Sequence, residues 1–430
     1  MKRKLIDELI KWKEINSGKS ILLTGAKGVG KTYLAYDFAK AFFENIYYIN
    51  FEREPKACSI FASNNADKIA LALISYFHLN EESPIESRIL ILDEISYSEE
   101  IRKVIKTSCF LNLFQNVIYI SSNPLNLEER SDITVLPVFP LEFDEFLRAT
   151  GYEWYIETIT NHFNSNIGIP DIVHKELLGL HKLYLQIGGM PGMINEYLNL
   201  NSVANVPEQH GFLVSSYHDY ILKDNLVSDA LKMNQVFDSL TQQLMKGNKK
   251  FQYKLIRKGT THAMYKDAIR KLTDTNYVIS CARIKNEDLL TPAKTFASKE
   301  WCDVEMNTNF KLYMSDTGML YTKIVEEQGN IFSTLHKKAL LENYIAQSLQ
   351  AKKYPFAFWE SDSMAKIDFI AYRNQELLPI EIFTGSNTRS KSISILKQKC
   401  EFPYSIKVSM KNFEYSNQVK YVPNYAVFCL

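Results

Sequence analysis

Residues 25–32, Gly-Ala-Lys-Gly-Val-Gly-Lys-Thr, satisfy G-x-x-x-x-G-K-[ST] at every fixed position. The stretch follows a short apolar run, SILLT at 20–24. It opens a run with helical spacing in which Leu34, Phe38, Ala41 and Phe42 share one side. Strand, glycine turn and helix in that order leave few alternatives for the first part of the chain. Gly25, Gly28 and Gly30 let the backbone curl until successive N–H groups converge. The helix beginning near Lys31 adds the positive end of its dipole. A turn of this kind is built for phosphate oxygens. The expectation is that Gly25, Ala26, Lys27, Gly28, Val29, Gly30, Lys31 and Thr32 hold ATP or ADP, with Lys31 on the β- and γ-phosphates and the Thr32 hydroxyl on Mg²⁺.

A second run, Ile89-Leu90-Ile91-Leu92, ends in Asp93-Glu94. Burial of such a strand sets Asp93 at its carboxyl end, where open α/β sheets bind ligands. Asp93 is expected to hold Mg²⁺ through a water and Glu94 to orient or deprotonate the attacking water, which makes the chain an ATPase rather than a binder alone. A third run, Val117–Ile120, ends in Ser121-Ser122-Asn123. Ser122 there reaches the γ-phosphate or the attacking water, or only forms a turn before Pro124.

The near-continuous apolar runs at 20–24, 45–51, 88–93 and 116–121 point to a parallel sheet covered on both faces. ITVLPVFP (133–140) is one more candidate strand, limited in its pairing by Pro137 and Pro140. The pattern is helical from about 143 and is interrupted by GGMPGM at 188–193. Strand signals return at 310–316, 355–360, 366–372, 377–383, 405–410 and 420–430, around one strong helix at 337–350. With 46% hydrophobic and 23% charged residues over 430 positions, long disorder and fibrous folds are excluded. No run approaches the roughly 18 apolar residues of a membrane span. Six cysteines without a Cys-x-x-Cys pair fit a reduced, cytoplasmic protein.

The phosphate loop, the DE-ending strand and SSN are followed by PLEFDEFL (140–147), GGMP (188–191), FKLYMSD (310–316), LLENY (340–344) and IDFIAY…PIEIFTG (367–385). This series resembles a prokaryotic family of P-loop ATPases of the AAA+ superfamily, similar to archaeal-type ATPases. The resemblance covers almost the whole chain. It implies an ASCE-type parallel-sheet core (1–145), a helical lid (146–225), a winged-helix-like segment (226–290) and an α+β C-terminal domain similar to PD-(D/E)xK restriction endonucleases (291–430). It carries Gly25, Gly30, Lys31, Thr32, Asp93, Glu94 and Ser122 into nucleotide roles.

Two departures from the family pattern stand out. Members usually carry a Gly-Arg pair shortly before the PL-F stretch, a candidate arginine finger; those places hold Ser131 and Asp132, with Arg130 out of register. In the C-terminal domain, Glu342, Asp368 and Glu381 occupy the acidic places of a nuclease, a possible second Mg²⁺ site. The lysine place, however, holds Phe383. Phe carries no charge to stabilise an anion. Lys366, two residues before Asp368 and on the same strand face, is a candidate migrated amine. The expectation is a degenerate nuclease fold kept for binding.

Between 246 and 271 the chain carries nine Lys and Arg residues against Asp267 alone, with Phe251, Tyr253 and Tyr265 interleaved. Such a face suits the phosphates of double-stranded DNA, or docking of a protein partner, or plain solvation. The reading is therefore a nucleotide-driven switch acting on DNA. A nucleotide-gated protein-interaction module and an ATP-regulated nuclease are its alternatives.

Overall fold

The first five apolar runs all become strands, and all five lie parallel. β1 (Ser20–Thr24), β2 (Asn45–Asn50), β3 (Arg88–Asp93), β4 (Asn116–Ser121) and β5 (Ile133–Pro137) form one sheet in the order β2-β3-β4-β1-β5. The structure is a computed structural model. It describes the chain apart from residues 16–17, 64, 80–82, 106–112, 124–131, 299–308, 330–332 and 362–364. The chain divides into two units, Lys2–Phe139 and Pro140–Leu430.

In the N-terminal unit, burial alternates by strand face but neither face is wet. Leu22, Leu90, Leu92, Val117 and Tyr119 pack in one cluster with Ile69 and Leu73. Ile21, Leu23, Ile89, Ile91, Ile118 and Ile120 are buried as well. Two covered faces explain why these runs are continuously apolar. Among the described residues, four helices accompany the sheet: α1 (Ile6–Ile15), α2 (Lys31–Phe42), α3 (Ala66–Phe77) and α4 (Glu99–Val104). α2 packs on β3 and β4. β5 is an edge strand, which suits Pro137 at its end.

The C-terminal unit begins with α5 (Phe143–Ala149), α6 (Trp154–Ser165), α7 (Asp171–Ile187), α8 (Pro191–Leu200), α9 (Val206–Asp224), α10 (Val227–Leu244) and α11 (His262–Asp274). Then come β6 (Val278–Arg283), α12 (Pro292–Ala297), β7 (Phe310–Met314), α13 (Thr317–Gln328) and α14 (Thr334–Ala351). β8 (Phe356–Glu360), β9 (Lys366–Arg373), β10 (Glu376–Ile382), α15 (Ser392–Leu396), β11 (Ser405–Ser409), β12 (Glu414–Ser416) and β13 (Val419–Pro423) complete it. Eight strands form a mixed sheet, β12-β13-β11-β10-β9-β8-β6-β7. β8, β9 and β10 are an antiparallel meander, and β11 lies parallel to β10.

α14 is buried on every side, from Ala339 to Leu349 without a break. A helix buried all round has to find partners for most of the polar groups it carries, and here the Tyr344 hydroxyl is left without one. Asn343 Oδ1 accepts from the Met314 N–H at 2.8 Å and Gln347 Oε1 from the Thr317 N–H at 3.0 Å. Ser348 donates to Glu142 at 2.7 Å. The LLENY and KLYMSD stretches are thereby fastened together.

Two divisions fall elsewhere than the sequence suggested. Pro140 onward packs with the C-terminal unit: the Leu141 N–H donates to Gly189 O at 2.7 Å, and Tyr184 donates to Leu141 O at 2.7 Å. The expected cut at 290/291 runs through the mixed sheet, because β6 pairs with both β7 and β8.

Candidate functional site

The turn between β1 and α2 is fixed by its backbone. Gly25 has φ +140°, and a Cβ there would lie 2.2 Å from Val138 O, so no other residue fits. Lys31 is buried inside the curl. Its ammonium donates to Gly25 O at 2.8 Å, Ala26 O at 3.0 Å and Ser122 Oγ at 3.0 Å. Burial pushes its pKa down, against the pull of Glu94 and Asp93. Ala26 and Val29 are buried, and Lys27 pairs with Glu52 at 3.2 Å. Arg3 braces the turn from outside, with one guanidinium nitrogen on Val29 O at 2.8 Å and another on Phe139 O at 2.7 Å.

Parallel register brings the second acid pair beside this turn. β4 lies between β1 and β3, so Ser122 comes between the lysine and the acids. Asp93 Oδ2 accepts from the Thr32 hydroxyl at 2.8 Å, the Tyr48 hydroxyl at 2.7 Å and the Asn50 amide at 3.0 Å. Its other oxygen, Oδ1, is buried and has no hydrogen-bond partner. An orphaned carboxylate oxygen beside a threonine hydroxyl fits a Mg²⁺ ion held through Thr32 and, by way of water, Asp93.

Glu94 adopts φ 52°, ψ 49°, a left-handed conformation unusual for glutamate. Its carboxylate accepts from the Ser122 N–H at 3.2 Å and from the Ser122 hydroxyl. Burial raises its pKa, against Lys31 and the Ser122 hydroxyl. Ser122 thus accepts from Lys31 and donates to Glu94. This links the lysine of the turn to Glu94. Tyr48 and Asn50 escaped the sequence reading. Their only signal is the register that sets Asn50 opposite Asp93. Arg130 and Ser131 lie outside the described residues.

Glu342, Asp368 and Glu381, the acids of the expected second Mg²⁺ site, line one cavity, and each is met by a lysine. Among the described residues, no three His, Cys, Asp or Glu gather closely enough to hold a metal. Glu342 is met by Lys249 at 3.0 Å and Lys311 at 3.5 Å; Asp368 by Lys338 at 2.8 Å; Glu381 by Lys407 at 3.7 Å. Burial raises the Glu342 pKa, but Lys311, Lys249 and Lys338 outweigh it and hold the group down. Lys366 points to Glu360, at 3.8 Å. A cavity of about 300 Å³ opens above these groups.

The basic segment is partly spent in the same way. Lys249 and Lys250 pair with Glu342 and Glu360, Lys271 with Asp229, and Arg270 with Asp267. Lys254, Arg257, Lys258 and Lys266 remain exposed, the last on α11. α10, a short turn of helix at 253–255, α11 and the antiparallel β6–β7 pair follow one another in this segment.

Residues 17–147 match the family model of an AAA domain. Residues 180–328 and 337–426 match two domains of unknown function, DUF8612 and DUF4143. No curated protein matches the chain. Among solved structures, a Walker-type ATPase of Pyrococcus abyssi is 13% identical, with a TM-score of 0.40, over 75% of this chain and 95% of that one. A STAND protein with a tetratricopeptide repeat sensor from Pyrococcus horikoshii is 16% identical, with a TM-score of 0.28, over 82% of this chain and 45% of that one. The RuvB Holliday junction branch migration motor of Thermotoga maritima is 18% identical, with a TM-score of 0.24, over 35% of this chain and 51% of that one. Likenesses this distant carry no weight for function. The N-terminal unit is mixed α/β with a parallel sheet, and most of it is what the AAA domain model matches.

Proposed function

We propose that the chain is a Mg²⁺-dependent ATPase whose hydrolysis cycle drives a switch in the C-terminal unit, and that this unit acts on DNA. The observation that carries the reading is the convergence of Lys31, Thr32, Asp93, Glu94 and Ser122 at the carboxyl ends of three neighbouring strands. The N–H groups of the turn and Lys31 bind the phosphates. Thr32 and Asp93 would hold Mg²⁺, which would supply positive charge to offset that of the phosphates. Glu94, with its raised pKa, takes the proton of the attacking water. Ser122 positions Glu94 and reports on the terminal phosphate through Lys31.

The C-terminal unit is read as a lid (146–225), a winged-helix-like segment and a nuclease-like domain that binds without cleaving. The αβββαβ order of α14, β8, β9, β10, α15 and β11, with β11 parallel to β10, supports the nuclease-like fold. Phe383 and the lysine-paired acids speak against cleavage. A cytoplasmic location is proposed with it; no helix among the described residues is long and apolar enough to cross a membrane.

One observation favours a second reading, a nucleotide-gated module for a protein partner. Lys249, Lys250 and Lys271 are tied up internally, which shrinks the face offered to phosphates. Turnover of the full chain with and without duplex DNA at low salt separates the two, with Lys31→Ala as control. DNA stimulation that falls steeply with salt supports the first reading. Indifference to DNA, with co-purification of a protein partner, supports the second.

A further inference from the structure

Lys338 reaches from α14 toward the carboxyl end of β10, one helical turn before Glu342. Its ammonium donates to Asp368 Oδ2 at 2.8 Å and to the backbone carbonyl of Ile382 at 2.6 Å. Glu342 Oε1 stands 4.0 Å away. The Ile382 N–H donates to the same Asp368 oxygen at 2.7 Å, which locks the carboxylate in place. Two carboxylates and a peptide oxygen thus converge on one point, and the positive charge at that point belongs to the chain.

We propose that Lys338 is the resident cation of this oxygen cradle, which makes the cradle a divalent-metal site closed by the protein itself. The Asp368 and Ile382 oxygens stand at hydrogen-bond distance from the ammonium, and Glu342 at 4.0 Å adds only its charge. A Mg²⁺ ion needs its oxygens at about 2.0–2.1 Å and six of them in near-octahedral array. The remaining acids are no more available, because Lys249 and Lys311 neutralise Glu342 and Lys407 faces Glu381. The geometry also gives Phe383 a reason. With the cation supplied from the helix, no metal-bound anion forms for an amine at 383 to stabilise. That position is instead packed beneath Lys407, whose ammonium lies 5.5 Å from the ring centroid. Lys338 therefore acts as a structural counter-ion, and the cavity works without metal whatever the N-terminal unit does with nucleotide.

The test is Mn²⁺ binding to the nucleotide-free full chain, followed by electron paramagnetic resonance and calorimetry. The wild type is expected to take up no Mn²⁺ at this site. Lys338→Met keeps the aliphatic stem but removes the charge. It should gain one site per chain, tighter than any wild-type binding by about tenfold or more, and adding Asp368→Ala should abolish the gain. Wild-type binding of one Mn²⁺ that is lost in Asp368→Ala but kept in Asp93→Asn overturns the proposal. So does a folded Lys338→Met that binds no more than the wild type. An anomalous Mn²⁺ peak between Asp368 and Ile382 in soaked wild-type crystals overturns it without any variant.

Discussion

The backbone N–H of Gly189 donates to Asp316 Oδ2 at 2.6 Å, across 127 residues of sequence. Asp316 Oδ1 accepts from the Met319 N–H at 3.0 Å, and the carboxylate is fully buried. The GGMP and KLYMSD stretches are therefore two halves of one clasp. A Cβ on Gly188 would lie 2.1 Å from Asp316 Oδ1, and one on Gly318 would lie 2.5 Å from the backbone of Ile187 and Gly188. The sequence offered the glycine pair only as a break in the helical pattern. Within the C-terminal unit it is a close-packing device.

Gly188→Ala meets both a positive φ and that clash, so it should destabilise the C-terminal unit by roughly 2–4 kcal/mol. Gly192→Ala, where nothing lies within 4 Å, is the control. Urea unfolding followed by tryptophan fluorescence measures the difference, and equal midpoints for the two variants would refute the clasp.

Burial raises Asp316 to about 6 from an ordinary 3.8, with N–H donors opposing it. The folded chain then binds a proton that the unfolded chain releases. This contribution to stability is full only below the unfolded value of 3.8 and is lost as pH rises through about 6. His210, 3.8 Å away and lowered by burial to about 4, titrates in the opposite sense, so only a comparison isolates the aspartate. The stability of the wild type relative to Asp316→Asn should fall between pH 4 and 7 by on the order of 3 kcal/mol. A flat difference in denaturation midpoints over that range sinks the assignment.

Lys31→Ala and Glu94→Gln should fail differently. The first loses a phosphate contact and should weaken nucleotide binding as well as slow turnover. The second keeps binding and loses about 10²–10⁴ in turnover, the usual contribution of a positioned base. Calorimetry with a non-hydrolysable nucleotide, beside phosphate release, distinguishes them.

Ser122→Ala removes a hydrogen bond that lowers the Glu94 pKa. A base must be deprotonated to act, so turnover falls as pH drops through its pKa. The acid limb of the rate profile should therefore move to higher pH in this variant. A profile of unchanged shape, scaled down only, would leave Ser122 without its role.

Tyr48→Phe deletes the hydroxyl that donates to Asp93 at 2.7 Å. Partners that orient a ligating carboxylate typically matter by about 10–100-fold in metal affinity. The Mg²⁺ concentration for half-maximal turnover should rise by at least about tenfold, with the folded-state melting curve little changed. An unaltered Mg²⁺ dependence would show that Asn50 and Thr32 hold Asp93 unaided.

Much of the N-terminal unit was legible because its requirements are local. Eight contiguous residues carry the positive φ values, the converging N–H groups, the lysine and the hydroxyl. The continuous apolar runs announce strands covered on both faces. β6 was missed because VISCAR is short and begins only three residues after α11, although Asn276 between them takes a left-handed turn conformation, φ 57°. The failures in the C-terminal unit share another cause. Sequence spacing placed Glu342, Asp368 and Glu381 on suitable elements but could not tell what would face them. Only the packing of α14 against the sheet decided that Lys338, rather than a metal, meets Asp368 and the Ile382 carbonyl. Only strand register set Tyr48 and Asn50 on Asp93. Backbone conformation is written in neighbouring residues, whereas the partner of a buried charge is chosen by whichever distant side chain the fold brings within hydrogen-bonding reach.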